Sequence, residues 1–429
     1  MKNKNEDANN TISAVINVKF KPVLIDNLEV KLLKEDERGK MFIIRATESS
    51  NYIKIHESVL DILKNFNGTK SIEEISQITR DAEIPIDIHE LVKLLAEEGF
   101  LKNVSPPPKK KKNDIFSFSI KLFTLTEKHM ATLKKAFSFV GSRVFWVFYA
   151  VFVTISFFLF IQNFPQIFSF VTSLMSPEGP LLPLFISSIL FYVVEIAHEF
   201  AHAISYYHYG GKSAEIGLEF HFFIPFFYAS TPDAIWMETR KQVMIFVSGP
   251  MASLFFAEMF TLLFIFEPTF RYIWAAHAFF WHISTLVTLS PIIKTDGYFI
   301  VQAVTRFPNL LEHGIDTLVK TLKVLVRKLS LGELKEHISQ YSFSERRVLK
   351  FYIPLFPVVT CILVYVFVFT ALEFGIVTVL NMTPQVITGN VYGIKPYVIW
   401  ALYVSSIAFS IVGIIGTIVN TVGRRHREG

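Results

Sequence analysis

His198-Glu199-Phe200-Ala201-His202 sets two imidazoles four residues apart, with a carboxylate beside the first. On a helix, positions i and i+4 share a face, so both rings can grip one metal ion. Two histidines, a third protein ligand and a water form the usual arrangement of a catalytic zinc. Zinc lowers the pKa of such a water from about 15.7 to about 7, and Glu199 is placed to take its proton as general base. The motif lies within an apolar stretch, where ionisable groups are costly unless they serve a function. Asp296, in Pro291-Ile-Ile-Lys-Thr-Asp296-Gly297, is the candidate third ligand. Alone, Asp-Gly reads as a turn; beside the first motif it reads as a ligand. At 1.5 Å per residue, His198 and Asp296 fall about 26 Å and about 34 Å along their segments from the outer ends, at compatible depths. Glu195 sits three residues before His198 on the same helix face. It reads either as a hydrogen-bond partner of a ligand imidazole or as a partner of a neighbouring helix. Glu258 reads as an interhelical structural residue. His277 and His282 lie too far toward the outer side to ligate and read as packing or water contacts.

These residues need a membrane to hold them. The 429 residues are 51% hydrophobic and 15% aromatic, with 44 phenylalanines and only 18% charged side chains. Soluble domains carry roughly 25% charged residues, so much of this surface must face lipid. Six stretches approach the roughly 20 apolar residues that a bilayer demands: 144–161, 181–207, 242–266, 273–289, 351–372 and 397–419. Lysines and arginines collect before the first, after the second and fourth, and after the last, which predicts cytoplasmic termini. The single cysteine, Cys361, excludes an internal disulfide and reads as a small packed hydrophobe.

Residues 1–105 are acidic and the remainder basic, which separates a soluble N-terminal domain from a membrane domain with basic loops. Residues 1–22 read as a disordered tail. Within 23–105, short β-prone runs at 27–34, 41–47 and 51–55 precede helical spacing at 56–67, 71–82 and 87–99. Ile88, Leu91, Val92 and Leu95 form a buried stripe on the last helix. The acidic balance and the lack of a basic recognition helix argue against nucleic acid. Residues 106–114 are a semi-rigid Pro/Lys linker. Residues 115–142 mix aromatic and basic side chains and read as an amphipathic segment at the cytoplasmic interface. Residues 143–429 form the membrane domain. The loop 302–350 reads as a solvated helical connector.

In Gly217–Tyr228 (GLEFHFFIPFFY), Leu218, Phe220 and Phe222 alternate with Glu219 and His221. That is a strand period in a stretch too apolar for an ordinary loop.

Two resemblances join these readings. The strand Tyr52-Ile53, ESVLDILKNFNG (57–68), KSIEEIS (70–76) and LVKLLAEEGFL (91–101) resemble the PqqD-like winged-helix domains that recognise leader peptides of ribosomally made, modified peptides. HEFAH, Ser248-Gly249-Pro250 and PxxxxDG (291–297) resemble the site-2 protease family of intramembrane zinc metallopeptidases, over about 181–302. The second resemblance implies a three-helix catalytic core, with one zinc on His198, His202 and Asp296 and Glu199 activating water. It makes 217–228 a re-entrant hairpin whose edge could pair with substrate, with Glu219 and His221 as candidate contacts. Thr288 stands where the family usually has an asparagine that contacts substrate or the oxyanion.

The expected fold is therefore a polytopic α-helical membrane protein of about six spans, with a small N-terminal α+β winged-helix domain. Together the resemblances imply a zinc endopeptidase in a bacterial plasma membrane that matures a precursor peptide, its leader held by 23–105. Epipeptide-type clusters are the nearest kind, with an ABC-type exporter and a peptide-modifying enzyme as candidate partners. The alternatives are a non-catalytic receptor or export partner for such a peptide, and a regulatory protease acting on a membrane-bound regulator.

Overall fold

The computed structural model describes residues 16–37, 39–46, 52–84, 86–104, 117–176, 179–212, 214–221, 224–307, 309–370 and 377–389, with isolated positions beyond. The chain opens with β1 (Leu28–Asp36), β2 (Gly39–Ala46) and β3 (Tyr52–His56), an antiparallel sheet in the order β1-β2-β3. Gly39 takes φ +107° where β1 turns into β2, a conformation that side chains rarely adopt. Three helices follow: α1 (Glu57–Leu63), α2 (Ile72–Asp81) and α3 (Ile88–Glu97). A capping box starts α2: the Glu74 N–H donates to Ser71 Oγ while the Glu74 carboxylate accepts from the Ser71 N–H. Such a cap contributes about 1 kcal/mol. Asp87 caps α3 by accepting the His89 and Glu90 N–H groups. Ile88, Leu91, Val92 and Leu95 are buried as their spacing predicts, against Ile44, Ile55, Phe66 and Phe100.

The expected disordered tail is ordered in its last part. Ile16 is 1% exposed and joins the core of this sheet and its helices. The Phe20 and Val18 carbonyls accept the Ile72 and Glu73 N–H groups at 2.9 and 3.0 Å. Apolar Ile16 and Phe20, which pack into that core, supply the reason, while Val18 between them stays exposed. Residues 1–15 and the Pro/Lys linker 106–114 lie outside the described residues.

The segment 115–142 holds β4 (Ser117–Leu125) followed by α4 (Glu127–Ala136) and a 3-10 turn. Its Ser-Phe-Ser-Ile-Lys-Leu run alternates with period two, a strand signal. Then come α5 (Arg143–Met175), α6 (Leu181–His208), β5 (Ala214–His221), β6 (Ile224–Ser230), α7 (Thr239–Phe266), α8 (Arg271–Thr288), α9 (Asp296–Thr305), α10 (Leu310–Leu325), α11 (Leu331–Ser339), α12 (Phe343–Thr370) and α13 (Val377–Ile387). The expected hairpin at 217–228 exists as β5–β6, and β4 pairs with its other side to give the order β4-β5-β6.

Among the described residues, three helices are long and apolar enough to cross a membrane: α5, α6 and α7. α5 is almost twice as long as expected, because Gln162, Asn163 and Pro165 do not end it. The Asn163 amide donates to the Leu159 carbonyl at 2.8 Å, satisfying itself within the helix. α8 packs on α7, and Phe160, Ala257, Phe260, Phe264, Ala278 and Trp281 share one core. In that core Glu258 and His282 pair at 3.1 Å, and Phe160 stacks on the imidazole at 3.8 Å. The interhelical reading of Glu258 therefore holds, and His282 packs as expected. Cys361 is exposed on α12 rather than packed. The sixth expected span, 397–419, lies outside the described residues apart from isolated positions.

The chain divides into two compact units, residues up to Asn113 with Lys320–Val348, and all the rest. The N-terminal domain is thus larger than 23–105. Within this unit Lys34 bonds Glu345 at 2.5 Å and Asp36 at 3.1 Å, and Glu37 accepts the Phe343 N–H at the start of α12. The end of the connector is a structural part of the domain and not a solvated spacer.

Candidate metal centre

α6 carries His198, Glu199 and His202, and α9 opens on Asp296. His198 Nε2 and His202 Nε2 lie 3.1 Å apart, and Asp296 Oδ2 lies 3.2 and 3.3 Å from them. One donor atom from each thus falls within 4.8 Å of the others, a group that could hold a metal ion. Bonds of about 2.0–2.1 Å in tetrahedral geometry put ligand atoms about 3.3 Å apart, so the donor set fits zinc.

α7 fixes how the imidazoles point, through residues spaced i, i+4 and i+8. The Ile245 carbonyl can only accept, so His202 Nδ1 carries the proton of their 2.7 Å bond and Nε2 is left as the ligand atom. Ser253 Oγ stands 2.8 Å from His198 Nδ1 and occupies that nitrogen, which leaves Nε2 of the first histidine facing the same point. Between them is Gly249. A Cβ built there would sit 2.5 Å from His198 Nε2 and closer still to His202 Nε2. The helix therefore turns a bare backbone toward the donors and leaves the volume an ion needs. Pro250 follows and leaves the Phe246 carbonyl without its helical donor.

Neither Ser253 nor Ile245 is marked by its own type in the sequence. The available signal was the four-residue spacing on either side of Gly249, which places all three on the face that meets α6. Ser253→Ala is expected to weaken zinc binding by about 10- to 100-fold, as loss of a ligand's supporting hydrogen bond does. Competition with a chromophoric chelator measures it, and unchanged affinity would remove Ser253 from the centre.

Asp296 does not continue α8, as the sequence reading assumed. α8 ends at Thr288, and a turn through Pro291 leads into α9. Gly297 makes this turn possible, since a Cβ there would overlap the Leu289 carbonyl. Tyr352 donates to the Pro291 carbonyl at 2.9 Å, and Lys294 pairs with Glu312 of α10, so the loop bearing Asp296 is braced on both sides. Thr288 is half-buried at the end of α8, beside the Leu289 backbone that Gly297 accommodates.

Glu195 does not support a ligand imidazole, nor does it pair with a helix. Its Oε1 accepts the Phe227 N–H of β6 at 3.2 Å. Glu199 accepts the Ala229 N–H of the same strand. Four residues of helix rise about 6.0 Å and two residues of strand about 6.8 Å, so the carboxylates of α6 match alternate N–H groups along one edge of β6. The Ser253 hydroxyl and the Ile245 carbonyl of α7 take the imidazoles, and the strand takes Glu195. Glu219 lies half-buried on the central strand β5, opposite Ser119 and Phe226. His221 ends β5 opposite Ser117 and Ile224, and its side chain lies outside the described ones. Neither belongs to the group of candidate ligands. His208 ends α6, exposed, with its ring edge against Tyr209.

Compared with protein-family models, with curated proteins and with solved structures, the chain matches none.

Proposed function

We propose that the chain is an intramembrane zinc metalloendopeptidase that cleaves a ribosomally made, modified precursor peptide during maturation and export. The observation that carries this reading is the meeting of His198, His202 and Asp296 on one point, with Glu199 on the same helix as both histidines. A zinc ion held there supplies Lewis acidity toward water and a peptide carbonyl. The chain's own residues do the rest. Asp296 and the two imidazoles hold the ion. The Ile245 carbonyl keeps His202 Nδ1 protonated and Ser253 engages His198 Nδ1, so that each Nε2 is left for the ion. Glu199 takes a proton from the attacking water and returns it to the leaving amine. Glu195 holds the Phe227 N–H and so keeps β6 against α6.

In this reading the chain crosses a bacterial plasma membrane six times with both termini cytoplasmic. The N-terminal domain binds the precursor's leader, and an exporter and a modifying enzyme act on the same peptide. The order β1-β2-β3 supports the leader-binding part, because β3 is an edge strand to which a peptide strand can add. The first test is metal content of the detergent-purified protein. We expect about one zinc per chain in the wild type and none in His198→Ala. Metal-free protein after refeeding with zinc, still folded, overturns the proposal.

A further inference from the structure

The turn between α10 and α11 exposes aliphatic side chains in a place where a membrane protein has no evident need of them. Leu322, Leu325, Val326 and Leu331 are 50%, 73%, 63% and 66% exposed. Leu322 and Leu325 share one side of the end of α10, and Val326 follows them. Such an arc covers itself with protein or with lipid.

Charge decides between the two. Lys323 lies along one flank of the arc, and Arg327 and Lys328 close its end. No ion pair engages any of the three among the described residues, whereas Lys320 of α10 bonds His337. Arg327 and Lys328 line a shallow recess of about 440 Å³, with Leu331 at its rim. Glu333 also lines it, but its carboxylate accepts the Ser330 N–H and hydroxyl in a capping box and so is turned into α11. The backbone adds a separate sign. Arg327 takes φ +56° where α10 ends, with its N–H bonded to the Val324 carbonyl and the Lys328 N–H to the Lys323 carbonyl. That helix-ending position favours glycine, yet an arginine stands in it.

We propose that this turn is a lipid-docking site: its aliphatic side chains enter the bilayer interface, and Arg327 and Lys328 bind the anionic phosphate of an acidic lipid headgroup in the recess. Apolar teeth around a basic recess fit an anionic membrane surface, since long basic side chains can bury their stems and reach the headgroups. The inference does not depend on the metal chemistry.

The test uses the full chain in nanodiscs of phosphatidylcholine, with or without phosphatidylglycerol. In a Cys361→Ala background, Leu325→Cys carries an environment-sensitive fluorophore, and Glu336→Cys on exposed α11 is the control. At position 325 the emission should shift to the blue and be quenched by spin-labelled lipid, severalfold more strongly when phosphatidylglycerol is present. Arg327→Gln with Lys328→Gln should remove that preference. Three results overturn the proposal. Emission at 325 that matches position 336 in every nanodisc leaves the face in water. A blue shift without lipid quenching means that protein or a second copy covers it. Quenching that ignores phosphatidylglycerol removes the headgroup site.

Discussion

Glu199→Gln should keep its metal and lose about 10²- to 10⁴-fold of the cleavage rate, the range that a positioned general base supplies. The substitution preserves shape, and the new amide oxygen can still accept the Ala229 N–H that Glu199 accepts. What disappears is the proton acceptor. The change therefore separates holding the ion from using it, which His198→Ala cannot do. Zinc analysis alongside mass spectrometry of the precursor peptide measures both quantities. Near-normal turnover in Glu199→Gln would assign the base elsewhere.

Gly249→Ala gives the second large effect, and here local and tertiary effects have opposite signs. Alanine is favoured over glycine inside a helix by roughly 0.5–1 kcal/mol, so α7 by itself should gain. The added methyl, however, would occupy the space between His198 Nε2 and His202 Nε2. Those atoms cannot move away without breaking the bonds to Ser253 and Ile245. We expect zinc affinity to fall by more than about 100-fold, beyond the loss from a single supporting bond. Thermal stability of the metal-free protein should fall as well, since displacing the imidazoles breaks bonds that outweigh the helix's gain. A Gly249→Ala protein that binds zinc like the wild type would show that this gap is not the ion's space.

The parts of the site that depend on one residue type at one spacing were legible in the sequence. His198 and His202 announce themselves by an interval of four, and Asp296 does so by following a proline turn. What could not be read was anything carried by backbone or by an unremarkable side chain. A serine at 253 looks like any helix serine until α6 lies against it, and the Ile245 carbonyl has no sequence signature. Glu195 was misplaced for a related reason. Its helix face is right, but two elements compete for that face, and only the fold shows that β6 wins. In the fold, strong periodicity was reliable, as the Ile88–Leu95 stripe shows. Weak or mixed signals were not. β4 hid its alternation among lysines and phenylalanines, and α5 ran through an asparagine and a proline that would break a less apolar helix.

The N-terminal unit takes its last pieces from Lys320–Val348, which has a consequence in time. A ribosome making this chain releases the sheet and its first helices early, but Lys34 and Glu37 must wait for Glu345 and Phe343. At ordinary synthesis rates that wait lasts about 15 to 60 s, and α5 to α9 are made within it. The unit is therefore finished only after His198, His202 and Asp296 have all been synthesised. A nascent chain cannot present a completed N-terminal unit ahead of its metal ligands, and a fragment that stops at Asn113 would lack the contacts that finish it.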